Sequence, residues 1–147
     1  MEENNKQLLI KEISSRLPYG VKAQVQGWDE AKEKEVNIPL RVYSINTDGY
    51  VYFESNDYDV NYIPVEDCLL YLRPMSSMTE EEKEELYHYY CKEIADNLST
   101  PNLTWELKCC VSNSFGTDWL NEHYFDYRGL IEKGLALEAP EEMYKTE

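Results

Sequence analysis

One stretch of the sequence has the ligand spacing of a calcium-binding loop. Asp57, Asp59 and Asn61 alternate with other residues, as the first three ligands of such a loop do. The loop also needs a glycine at its sixth position and a bidentate glutamate at its twelfth, and these positions hold Tyr62 and Cys68. We therefore predict a polar turn between strands here, and no calcium site.

Zinc would need a cluster of thiolate and imidazole ligands. His88 and Cys91 are three residues apart, but Cys109 and Cys110 are adjacent and lack the two-residue spacer that lets paired thiolates bind one ion. The six glycines are scattered and form no phosphate-binding loop. The sequence therefore predicts no metal site and no cofactor.

Few residues are available for nucleophilic catalysis. The chain has two histidines, His88 and His123, and neither lies in a motif that joins a base to a nucleophile. Neighbouring carboxylates are not informative, because 29 acidic residues produce such neighbours by chance. We predict that the protein is not an enzyme. The alternative is a small cysteine-dependent hydrolase with Cys109 or Cys110 as nucleophile and His123 as base.

The chain contains 13 tyrosines, several of them grouped. Tyrosine combines a large, stiff contact surface with a polar hydroxyl, so it is favoured at interfaces. The alternative is that the tyrosines only cover a modest core. The residues predicted to mediate interaction are Tyr50, Tyr52, Tyr58 and Tyr62 in one group, and Tyr87 and Tyr90 in another.

The formal net charge of -15 is unevenly distributed. Residues 1–41 hold seven acidic and seven basic side chains, whereas residues 42–147 hold 22 acidic and seven basic ones. Such a surface repels nucleic-acid phosphate and anionic lipid, so direct binding to either is disfavoured. We predict a basic protein partner. The alternatives are a DNA mimic that inhibits a host nucleic-acid enzyme, and an acidic surface that serves only solubility.

The hydrophobic pattern of the first half predicts one helix and several short strands. Residues 5–17 have helical spacing, and residues 21–28 alternate as a half-buried strand does. The tetrapeptide at 46–49, ending in Asp-Gly, predicts a hairpin because it tolerates a positive φ. Further strands are predicted at 38–42, 50–53 and, with a short break, 62–73. Tight connections favour a small antiparallel sheet or a curled, SH3-like β-barrel, because parallel pairs would need crossover helices.

The second half is predicted to be mainly helical. Thr79 and Glu82 have the spacing of a capping box, so a long helix should begin there and end before Pro101. The later expectations are a strand at 103–111, a short helix at 118–123 capped by Thr117, a short helix at 127–133 capped by Asp126 and closed by Gly134, and a frayed tail from residue 140.

The predicted fold class is therefore α+β, as a single domain over residues 1–147. The alternative is a β-rich part over 1–76 and a mainly helical part over 77–147. No apolar stretch reaches the length of a membrane span, and the first residues do not resemble a signal peptide. These observations predict the cytoplasm and free thiols.

Two stretches carry a resemblance. Residues 72–82 (LRPMSSMTEEE) and residues 118–136 (DWLNEHYFDYRGLIEKGLA) are similar to small uncharacterised proteins encoded by prophages and mobile elements of gut bacteria. The resemblance covers about residues 60 to 144. It implies a genomic setting and favours a phage or host-interaction role, but it assigns no catalytic or binding residue. The sequence thus predicts a non-enzymatic interaction protein whose oligomeric state it leaves open.

Overall fold

The computed structural model describes residues 3–56, 58, 60–86 and 114–144. The chain forms two compact units, of which the first comprises Met1–Leu72 and Leu130–Glu147 and the second comprises Arg73–Gly129. The chain thus leaves the first unit once and returns to it. The single domain over 1–147 remains a prediction.

The first unit begins with helix α1, Glu3–Arg16, followed by a 3-10 turn over Leu17–Tyr19. Leu9 and Ile13 on α1 are buried, and the helix packs against the sheet. A fully buried ion pair lies on the same helix, where Nη2 of Arg16 is 2.8 Å from Oε2 of Glu12. The chain then reverses at Gly20, whose φ of 77° is accessible to glycine without strain. The N-terminal helix predicted from the sequence is confirmed.

Six strands of the first unit form one open, mostly antiparallel sheet. They are β1 Lys22–Asp29, β2 Lys34–Ile45, β3 Tyr50–Phe53, β4 Tyr62–Pro64, β5 Leu69–Leu72 and β6 Ala136–Glu138. Their order is β4-β3-β2-β1-β5-β6, so β4 and β6 are the outer strands among the described residues. The α+β class is confirmed, whereas closure into a curled or SH3-like barrel is not.

One pair of strands differs from expectation. β6 pairs with β5 in parallel, with Leu70 opposite Ala136 and Leu72 opposite Glu138. Tight connections between sequential strands favour antiparallel pairs, because they leave no room for a crossover helix. The connection between β5 and β6 is long instead, since the whole second unit lies between these two strands in the sequence.

The strands bury alternate residues against the core of the first unit. Ala23 and Val25 on β1 are buried, and their partners on β2 include Ile38, which is also buried. Val51 and Phe53 continue this buried face on β3. The predicted hairpin between β2 and β3 is confirmed: Gly49 has a φ of 88°, and the N–H of Asn46 donates to the carbonyl of Tyr50 at 3.0 Å.

The second unit contains α2, Glu80–Leu86, and α3, Ser114–Glu122. The predicted capping box is confirmed, because the N–H of Glu82 donates to Oγ1 of Thr79 at 3.1 Å and the N–H of Thr79 donates to Oε1 of Glu82 at 3.0 Å. Beyond Leu86, the predicted long helix and the strand at 103–111 lie outside the described residues.

The core of the second unit joins the two stretches that carry the resemblance. Its buried side chains are Met78, Leu86, Trp119, Leu120 and Phe125. Arg73 and Phe125 form an isolated parallel bridge, and the Arg73 guanidinium lies 4.1 Å from the centre of the Phe125 ring. The two stretches therefore have a shared structural role in packing.

Three expectations for the C-terminal part are not met. Thr117 is inside α3, which begins at Ser114, so it is not the cap of that helix. Residues 127–133 form turns instead of a second short helix, although Gly134 has the predicted left-handed φ of 73°. The tail is not frayed as far as Tyr144, whose hydroxyl accepts from the N–H of Lys22 and donates to the carbonyl of Tyr71, both at 2.8 Å.

Candidate interaction surface

Three of the predicted tyrosines meet on β3 and β4. The register places Tyr52 opposite Tyr62 and Tyr50 opposite Pro64. The ring centre of Tyr62 lies 5.6 Å from that of Tyr50, with the planes at 84°, and 5.6 Å from that of Tyr52, with the planes at 39°. Such edge-to-face and tilted contacts are favourable for aromatic rings. We call Tyr50, Tyr52 and Tyr62 the tyrosine cluster.

The tyrosine cluster lies on the sheet face opposite the core. Val51, between Tyr50 and Tyr52, is fully buried, and alternate residues of a strand point to opposite faces. Tyr50 is 39% exposed and Tyr62 is 56% exposed, whereas Tyr52 is partly buried. The cluster therefore presents two accessible rings above a third.

Asn46 holds this arrangement in place from the hairpin. Its Oδ1 accepts from the N–H of Tyr50 at 3.0 Å, and its Nδ2 donates to the hydroxyl of Tyr52 at 3.4 Å. One side chain therefore fixes both the start of β3 and a ring of the cluster. The turn residues thus position the tyrosines as well as reversing the chain.

The segment that carries the tyrosine cluster contains no basic residue. From Val42 to Leu72 the sequence has six acidic side chains and no lysine or arginine. Two basic residues from elsewhere pair with it: Nζ of Lys6 lies 3.3 Å from Oε1 of Glu66, and Nε of Arg41 lies 3.5 Å from Oε1 of Glu54. Asp48, in the hairpin, is exposed and belongs to no ion pair among the described residues.

Tyr58 lies apart from the tyrosine cluster. A Cβ atom at Gly27 would lie 2.9 Å from Cδ1 of Tyr58 and 3.0 Å from Cδ1 of Ile38, so the ring occupies space that only glycine leaves open. Gly27 shares the buried face of β1 with Val25. Tyr58 is 38% exposed, but it covers the core side of the sheet. Sequence proximity alone does not distinguish this role from that of Tyr62.

Within the described part of the chain, the other predicted interaction and candidate catalytic residues do not form a site. Tyr87 and Tyr90 lie outside the described residues, as do His88, Cys91, Cys109 and Cys110. His123 is on the second unit, where its ring stacks on Trp119 with 4.0 Å between the ring centres. Its Nδ1 is 2.9 Å from the carbonyl of Trp119, and its Nε2 is 4.0 Å from Oε1 of Glu85. The hydrolase alternative therefore remains a prediction.

Cys68 is the cysteine that the described residues include. It is a free, buried thiol. Burial raises its pKa to about 12, so the reactive thiolate is scarce at neutral pH. Within the described parts of the chain, no three His, Cys, Asp or Glu residues are grouped to bind a metal ion. Asp57 and Asp59 lie outside the residues that the structure describes.

Two exposed aromatic residues were not singled out from the sequence. Tyr43, 71% exposed, lies at the bulge in the β2–β3 pairing, and Trp28, 54% exposed, lies near the end of β1. The signal for Trp28 was available, because it shares the polar side of the alternation with Gln24 and Gln26. A bulge has no comparable signal, since it depends on the register of two strands.

Comparison of the chain with protein-family models, with curated proteins and with solved structures gives no match. Among the described helices, none is both long enough and apolar enough to cross a membrane.

Proposed function

We propose that this chain is a non-enzymatic interaction protein, of phage or mobile-element origin, that binds a basic protein through the tyrosine cluster and the acidic segment around it. The observation that carries the proposal is the exposure of Tyr50 and Tyr62 as packed rings on the solvent side of the sheet. The origin rests on the resemblance of residues 72–82 and 118–136 alone.

The exposed rings of Tyr50 and Tyr62 are aromatic surface in contact with water. Burying a large side chain contributes about 1.5–3 kcal/mol relative to leaving it exposed, and these rings leave much of that contribution unused within the described structure. Tyrosine also tolerates a wet, polar interface because its hydroxyl keeps a hydrogen-bonding partner there. Tyrosines that are already packed and tethered lose little freedom on binding, which favours affinity.

The charge of the segment around the tyrosine cluster favours a basic protein as the partner. The segment from Val42 to Leu72 has no basic residue, and Lys6 and Arg41 pair with two of its four described acidic residues. A basic partner would meet complementary charge, whereas nucleic-acid phosphate would be repelled. The proposal therefore excludes nucleic acid as the direct ligand of this surface.

Affinity capture from a host-cell extract tests the proposal. The tagged full-length chain is compared with a Tyr50→Thr/Tyr62→Thr variant, which keeps residues that favour strands. Capture is done at about 50 mM and about 500 mM salt, a range over which screening becomes severe. We expect a protein of basic isoelectric point to bind the unaltered chain at low salt, and the double variant to lose it.

Trp28→Thr is the matched control. It removes another exposed aromatic residue from the same sheet, but Trp28 pairs with Glu35, whereas β3 pairs with the far end of β2. At about 3.3 Å per residue, the two sites are separated by roughly 30 Å of strand. Capture that survives in the double variant would contradict the proposal. Capture of a nucleic-acid enzyme that duplex DNA displaces would favour the DNA mimic instead.

A further inference from the structure

We infer that the tyrosine cluster recognises an arginine side chain of its partner, with the guanidinium stacked on the exposed ring of Tyr62. This inference rests on the proposed function and names the chemical group that anchors the partner. It is carried by the ring geometry of the cluster together with the absence of basic residues from the segment that holds it.

The accessible surface of the tyrosine cluster is the outer face of Tyr62. Tyr62 contacts Tyr50 nearly at a right angle and Tyr52 at a tilt, and it is still 56% exposed. Its neighbours at 5.6 Å leave no space for a ligand between the rings, so a ligand must lie on the outer surface. A flat group that stacks on one ring fits this geometry better than a group that needs an enclosing cage.

A flat group that stacks on Tyr62 should carry positive charge. The face of an aromatic ring carries negative charge density and attracts cations. Asp48 lies two residues before Tyr50 and is exposed, and it belongs to no ion pair of the described residues. A cation on Tyr62 would therefore gain from the ring face and from the net negative charge of a segment that holds no lysine or arginine.

The planarity and hydration of the cation favour arginine over lysine. The guanidinium is planar, weakly hydrated and able to stack on a ring while donating two parallel hydrogen bonds to a carboxylate. The ammonium of lysine is compact and strongly hydrated, so it loses more on leaving water. The chain itself has the same type of contact elsewhere, since the Arg73 guanidinium lies 4.1 Å above the Phe125 ring while binding both oxygens of Glu82.

Two peptides of equal charge test the inference on the purified full-length chain. Fluorescence anisotropy compares labelled (Arg-Gly)4 with labelled (Lys-Gly)4 at about 50 mM salt. We expect the arginine peptide to bind about two- to fivefold more tightly, in line with one exposed cation–π contact. Tyr62→Leu should remove this preference while retaining part of the charge-driven binding. Trp28→Leu, which removes an exposed ring away from the cluster, should keep the preference.

Equal affinity of the two peptides would overturn the inference, as would a preference that survives in Tyr62→Leu. Absence of binding of either peptide up to about 1 mM would also overturn it, because that limit corresponds to only about 4 kcal/mol of binding free energy. The outcome is separable from the proposed function. A basic protein captured through Tyr50 and Tyr62 without an arginine preference refutes only the arginine anchor, whereas the peptide preference without a captured partner refutes only the interaction role.

Discussion

At the scale of single residues, the Tyr144 hydroxyl makes hydrogen bonds at the point where β1 and β5 are no longer paired. β1 and β5 pair through Ala23 and Gln24, and the pairing stops before Lys22 and Tyr71. The Tyr144 hydroxyl lies between the backbones of these two residues and bonds to both. Buried or partly buried backbone groups need such partners. The residue therefore connects the C-terminal segment to the centre of the sheet.

Tyr144→Phe should lower the free energy of unfolding by about 1–3 kcal/mol, because the Lys22 N–H and the Tyr71 carbonyl would lose their shared partner. The measurement is urea unfolding followed by circular dichroism. Tyr43→Phe removes a hydroxyl from a side chain that is 71% exposed and should change stability by less than about 0.5 kcal/mol. Equal stability of the two variants would show that the Tyr144 hydroxyl is replaced by water.

At the scale of elements, the start of α2 is held by one glutamate with two functions. Glu82 completes the capping box with Thr79, and its two oxygens accept from Nη1 and Nη2 of Arg73 at 2.7 Å each. Burial acts to raise the pKa of Glu82, but the hydrogen bonds and charge of Arg73 and the hydrogen bonds of Thr79 outweigh burial and lower it. The capping box was predictable from local spacing, whereas the bond from Arg73 was not.

Glu82→Gln should cost about 1–3 kcal/mol at neutral pH, since it removes the charge from a bidentate pair. A carboxyl whose folded pKa is lowered stabilises the fold above the ordinary value of 4.5, and this contribution is lost as pH falls through the lowered pKa. The variant and the unaltered chain should therefore converge in stability at acidic pH. Urea unfolding at pH 7, 5 and 3 measures this. Glu81→Gln, at an exposed position on the same helix, should show no such convergence.

At the scale of the whole molecule, what was predictable followed from local pattern. Helical spacing predicted α1, turn chemistry predicted the hairpin at Gly49, and alternation predicted the strands up to Leu72, because each depends on residues close in sequence. The strand predicted at 38–42 was too short, since β2 extends over Lys34–Ile45. Within the candidate surface, the pattern grouped Tyr50, Tyr52 and Tyr62 correctly, since two residues on β3 share a face and the register adds β4. Tyr58 was grouped with them, but its position depends on the missing side chain of Gly27.

The features that could not be predicted depend on distant parts of the chain. β6 has three residues, too few for a periodic signal, and its partner β5 precedes the entire second unit. The return of the chain to the first unit at Leu130 could not be predicted from composition either, because no linker sequence marks it. The helix predicted over 127–133 was wrong for a related reason: this stretch leads back to the sheet, so tertiary pairing overrides helix propensity.

The parallel pairing of β5 with β6 also imposes an order on folding. The helix α1 and strands β1 to β4 connect neighbours in sequence, so they can assemble early, while β6 must close a loop that contains the whole second unit. During synthesis, the outer edge of β5 stays open until Ala136–Glu138 have emerged, and an open edge is a site for aggregation. A chain that ends after Gly134 should therefore scatter light on refolding at micromolar concentration, whereas a chain that ends after Tyr144 should not. If both chains refold without scattering light, β6 is not needed to prevent aggregation, and the edge of β5 is protected by other means.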